Sequence, residues 1–65
     1  MSARALIATF VTYDGEARQA AANALLVVDD PSTPALIAAA KSSASSDTIA
    51  ALDRFALRFA NNPAR

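Results

Sequence analysis

The sequence predicts an all-α fold, a small bundle of three or four short helices forming one domain over residues 1–65. Three observations carry that expectation. Alanine, the strongest helix former, supplies 18 of the 65 residues. The larger apolar side chains recur at helical rather than alternating spacing. Proline, serine and aspartate then divide the chain into short segments with cap and stop signals at their ends.

Residues 3–13 gather Leu6, Ile7, Phe10 and Val11 on one helical face, with Arg4, Thr9 and Thr12 elsewhere. A strand is the rival reading, because Ile7, Thr9, Phe10, Val11, Thr12 and Tyr13 favour β structure. The other strand-like run, residues 25–28, would need a parallel crossover through about ten residues, at the lower limit for such a connection. A strand here would therefore be one shared with another chain. Asp14 beside the only glycine, Gly15, marks a break, and Asp14 is suited to cap a second helix over 16–28 with Glu16 in its first turn. If Gly15 is tolerated inside a helix, at a cost of about 1 kcal/mol relative to alanine, the two segments merge into one kinked helix over 3–28. Glu16, Gln19 and Asn23 form a polar stripe opposite Ala17, Ala21, Ala24, Leu25 and Val28. The run Leu25, Leu26, Val27 and Val28 covers nearly the whole circumference, so this helix end is expected to be buried from several sides.

Asp29, Asp30 and Pro31 stop that helix. Thr33 is the expected N-cap of a third, over 34–42, with Pro34 at its first position and Leu36, Ile37 and Ala40 on its apolar face. Ser42, Ser43, Ala44, Ser45 and Ser46 make a short polar connection. Ser46 or Asp47 caps the last helix, over 48–61, which carries Ile49, Leu52, Phe55, Ala56 and Phe59 on one face and Arg54, Arg58 and Asn61 on the other. It is the most amphipathic segment. Asp47 near its start and Arg58 near its end suit the helix dipole. Asn61, Asn62 and Pro63 end it, asparagine being able to take the left-handed conformation.

Composition excludes several classes of function. With neither cysteine nor histidine, no disulfide, thiol nucleophile, imidazole base or zinc site of the usual ligands can be built. One glycine cannot form a phosphate-cradling loop. Asp29 and Asp30 are adjacent and diverge, so they read as part of a turn rather than as a metal or acid–base pair. No catalytic residue, metal, cofactor or small-molecule substrate is expected, and the chain reads as a non-enzyme. The longest charge-free runs, residues 19–28 and 31–40, hold ten residues each, short of the roughly 20 that a membrane span requires. Arg4 and residues 5–13 imitate the start of a signal peptide, but Asp14, Gly15 and Glu16 stand where small cleavage-site residues belong. Six basic residues balance six acidic ones, so no long-range field draws the chain to nucleic acid or to an anionic membrane. Arginine outnumbers lysine five to one in an alanine-rich chain, a bias of GC-rich coding sequences common in bacteria and their phages. The expected location is the cytoplasm or a phage particle.

Leucine, isoleucine, valine and phenylalanine make 15 of 65 residues, just above the roughly 20% below which disorder prevails. A domain of this size is marginally stable alone. The missing staple is then another polypeptide, and the expected function is a structural or interaction module that self-associates or docks on a larger bacterial or phage protein assembly. Phe10, Tyr13, Leu26, Val27, Phe55, Leu57 and Phe59 are the candidate interface residues, although the three phenylalanines also suit a core. Residues 33–59 resemble a helix-turn-helix, with Ala38 where that family carries a small residue and Ile49 and Leu52 as the docking pair of the second helix. Two departures stand out: serines occupy the turn where glycine is usual, and the spacing to Ile49 is about one residue long. The resemblance implies a small DNA-binding regulator as the alternative function. Ser45, Ser46 and Thr48 would then face the groove, and Arg54 and Arg58 the phosphate backbone.

Overall fold

The structure is a computed structural model that describes residues 2–62. It contains four helices, α1 (Ala3–Thr12), α2 (Gly15–Val28), α3 (Thr33–Lys41) and α4 (Ser46–Ala60), and no strand among the described residues. The strand reading of residues 3–13 is thereby set aside. So is the single kinked helix over 3–28, because Tyr13 (φ −117°, ψ 161°) and Asp14 (φ −119°, ψ −170°) are extended and turn the chain between α1 and α2. Gly15 follows at φ +58°, a conformation that a side chain would strain. Pro63, one of the expected stop signals, lies outside the described residues.

The helix ends follow competition among small polar side chains. Ser2 caps α1, its Oγ accepting from the Ala5 N–H at 3.1 Å. Asp14 occupies the N-cap position of α2 without a side-chain cap bond. The left-handed C-cap expected of an asparagine belongs instead to Asp29 (φ 49°, ψ 43°), whose N–H donates to the Leu25 carbonyl at 3.0 Å. Asn61 caps α4 at φ −102°, ψ 21° and donates through Nδ2 to the Leu57 carbonyl. At α4 the N-cap is Ser45 rather than Ser46 or Asp47, with its Oγ accepting from the Thr48 N–H at 3.3 Å.

Thr33 departs most from expectation. Ser32 takes the N-cap position of α3, but its hydroxyl donates to Asp30 Oδ1 at 2.7 Å, and its N–H donates to the same oxygen at 2.8 Å. The backbone bond first, and the hydroxyl second, hold the Asp30 carboxyl below the ordinary aspartate range. Thr33 is therefore the first helical residue, fully buried, and its Oγ1 has no hydrogen-bond partner. An unmet buried hydroxyl is destabilising, whereas an apolar isostere in its place is not. Thr33→Val is expected to stabilise the chain by about 1 kcal/mol, raising Tm by about 5 °C in a thermal melt. An unchanged or lower Tm would mean that the hydroxyl is hydrogen-bonded in solution.

The core joins all four helices: Ala3, Leu6, Ile7 and Phe10 of α1; Ala21, Ala22 and Leu25 of α2; Ile37 of α3; and Ala51, Leu52, Phe55 and Phe59 of α4. The closest helix pairs are α1 with α2, α1 with α3, and α3 with α4. Phe55 sits between Phe10 (centroids 5.6 Å apart) and Phe59 (6.2 Å), both at tilted angles that aromatic pairs favour. Lys41 and Asp53 form a 2.6 Å ion pair between α3 and α4, exposed and therefore worth no more than about 1 kcal/mol. Asn62, buried at the end of the described chain, donates through Nδ2 to the Leu26 carbonyl at 2.9 Å and ties the end of α4 to that of α2.

One expectation for α2 is overturned. Its C-terminal end is not enclosed: Leu25 is fully buried and Leu26 half-buried, while Val27 is 84% and Val28 45% exposed. The buried face also runs through Ala22, with Ala17 exposed. Helix α2 packs closely against α1 alone, and among the described residues nothing covers Val27.

Candidate interaction surface

Because α2 and α4 are not a closely packed pair, a half-open cleft of about 250 Å³ lies between them. Two bonds frame it. Near the starts of the helices, Arg18 Nη2 donates to Thr48 Oγ1 at 3.4 Å; near their ends, Asn62 reaches Leu26. The helices therefore run side by side in the same direction. Phe10, Phe55, Ala22 and Ala51 supply apolar lining, while Arg18, Gln19, Arg54 and Arg58 supply the polar part. Among the described residues, three cations and no carboxylate line this concavity.

The three arginines differ in role. Arg18, in the first turns of α2, donates through Nε to the carbonyls of Phe10 (2.9 Å) and Tyr13 (3.0 Å), and its guanidinium lies 5.1 Å from the Phe10 ring centroid. These are acceptors at the end of α1 that the helix itself leaves unsatisfied. Arg18 thus clamps the α1–α2 turn to the start of α4. Arg54 and Arg58 lie one turn apart on α4, both exposed, and neither has a hydrogen-bond or ion-pair partner among the described residues. Gln19 Nε2 donates along α2 to Asn23 Oδ1 at 3.1 Å.

Of the candidate interface residues, Phe10, Phe55 and Phe59 are buried in the core of the single chain, with only an edge of Phe10 and of Phe55 reaching the cleft. Each lies at the centre of its helix's apolar stripe, where the intrachain helices meet. Tyr13 (57% exposed), Val27 and Leu57 (67%) are at the surface, and Leu26 is half-buried. Of the groove-facing set, Ser46 is exposed, but Ser45 and Thr48 are tied together: the Ser45 hydroxyl donates to Thr48 Oγ1 at 3.1 Å while capping α4. Helices α3 and α4 do form a hairpin, joined through residues 42–45. Ala38 is exposed rather than at the helix contact; Leu52 is fully buried and Ile49 half-buried.

No protein-family model matches the chain, and no curated protein or solved structure matches it. Among the described residues no cluster of acidic side chains is placed to hold a metal ion, and no helix is long and apolar enough to cross a membrane. Sequence reasoning passed over Arg18 and placed Gln19 only in the polar stripe of α2. The available signal for Arg18 was a long cationic side chain just after a helix end, where free carbonyls need donors.

Proposed function

We propose that this chain is a non-enzymatic structural or interaction module that associates with itself or docks on a larger bacterial or phage protein assembly, in the cytoplasm or in a phage particle. The observation that carries the reading is the surplus of large apolar side chains outside a core that is already closed, with Val27 and Leu57 the most exposed of them. Scattered singly, such residues are ordinary. Here they belong to a chain of a size whose core rarely supplies more than about 3–5 kcal/mol, and covering each would add about 1.5–3 kcal/mol. Tyr13 and Leu26 extend the set of available contacts. The DNA-binding alternative finds support in the unpartnered Arg54 and Arg58. Zero net charge and the capping role of the Ser45 and Thr48 hydroxyls weigh against it.

Sedimentation and thermal melts over a range of concentrations test the proposal, alone and after exposure to bacterial lysate. Wild type is expected to associate and to gain Tm with concentration, or to retain a protein partner. Val27→Ser with Leu57→Ser should lose the association while keeping its helical spectrum. A monomer with a concentration-independent Tm that retains no protein overturns the proposal.

A further inference from the structure

We infer that the cleft between α2 and α4 receives an acidic segment of a protein partner, with one aspartate or glutamate carboxylate held between Arg54 and Arg58. The inference rests on the interaction-module reading and specifies the chemistry of the partner. Charge complementarity carries it. Arg18, Arg54 and Arg58 converge on one concavity, and none of its lining residues is acidic. Among the described residues no carboxylate pairs with Arg54 or Arg58, and the one ion pair between side chains joins Lys41 to Asp53. Arg18 is fixed by its bonds to Phe10, Tyr13 and Thr48, so its charge stays at the cleft whether or not a ligand is present. Arg54 and Arg58 bring unengaged forks of N–H donors, a geometry that matches a carboxylate.

The rest of the lining decides what kind of anion fits. Phe10, Ala22, Ala51 and Phe55 give the cleft an apolar floor, which suits a ligand with an aliphatic stem and an anionic tip. An aspartate or glutamate in a peptide has that shape. A small free anion would gain little from exposed, solvated arginines and nothing from the floor. A nucleic acid needs a track of cations along its backbone, and two free arginines on a neutral chain release few counterions.

The test uses the full chain with a labelled peptide of glutamates and leucines, its twin with glutamine for glutamate, and a mixed-sequence DNA duplex. Anisotropy reads affinity, and NMR reads the Arg54 and Arg58 side-chain N–H signals and the Ala22 and Ala51 amides. The glutamate peptide is expected to shift those signals and to bind about tenfold tighter than its twin. Arg54→Gln with Arg58→Gln should lose about tenfold in affinity while keeping its helical spectrum, because neither arginine has a partner among the described residues. The inference is overturned if the twin binds equally, if the double variant binds like wild type, if the cleft signals do not move, or if the duplex binds the cleft more tightly than the peptide. If any of these occurs while Val27→Ser with Leu57→Ser still abolishes association, the acidic segment is wrong and the interaction module stands. A chain that neither associates nor retains a protein removes both.

Discussion

Phe55→Ala is expected to leave the chain largely unfolded at 25 °C. The ring is 3% exposed and stands between Phe10 of α1 and Phe59 on its own helix, so its removal opens a cavity at the junction of two elements rather than at the edge of one. Such truncations cost about 3–5 kcal/mol. A core of this size rarely supplies more than about 3–5 kcal/mol in total, so the loss is comparable to everything that holds the fold. Far-UV circular dichroism with a thermal melt measures it, at a concentration low enough to keep the chain monomeric. Leu57→Ala is the matched control. It lies two residues along the same helix but faces solvent, and its expected effect on the monomer is within about 0.5 kcal/mol. A folded Phe55→Ala chain with a sharp melt would mean that α1 and α4 are held together by something other than the aromatic contacts.

Arg18→Ala is expected to destabilise the chain by about 2 kcal/mol, the next largest effect, although Arg18 is only half-buried and sits on the least hydrophobic part of α2. Its Nε donates to the carbonyls of Phe10 and Tyr13, and its guanidinium covers the Phe10 ring. Alanine leaves those carbonyls without donors and exposes one edge of the core. Hydrogen bonds from a charged donor contribute about 1.5–3 kcal/mol, reduced here by partial solvation, and the ring contact about 0.5–1 kcal/mol. Lysine keeps the charge but lacks the planar fork, so Arg18→Lys should recover less than half of the loss. Urea titration gives the free energies, and hydrogen exchange at the end of α1 locates the effect. Equal stability of wild type and Arg18→Ala would show that the clamp contributes nothing net.

The order and type of the helices were legible in the sequence because Leu6, Ile7, Phe10, Leu52, Phe55 and Phe59 are large enough for their 3.6-residue spacing to define a face. In α2 the same logic failed. Ala17, Ala21, Ala22 and Ala24 are identical side chains, so spacing alone cannot say which of them turns inward; packing against the other helices decides, and Ala22 rather than Ala17 is buried. The caps slipped by a residue for a different reason. Ser32 is drawn to Asp30, which moves Thr33 inside the helix, and Ser45 reaches the Thr48 N–H before Ser46 or Asp47 can serve. The cleft was only half legible. Arg54 and Arg58 stood out on the polar side of α4. Arg18 joins them by bonding the carbonyls of one helix and a hydroxyl 30 residues further along, a relation that no local pattern carries.

The two bonds at the ends of the cleft, Arg18 to Thr48 and Asn62 to Leu26, separate the frame of this surface from its lining. Between those ends, Ala22 of α2 and Ala51 and Phe55 of α4 belong to the core, while Gln19, Arg54 and Arg58 are exposed. Gln19 and Arg54, both exposed, can therefore change identity without disturbing the core, whereas Ala22 and Ala51 cannot take a larger side chain without overpacking it. Such a frame lets the chemistry presented between the helices drift over evolutionary time while the domain itself stays the same.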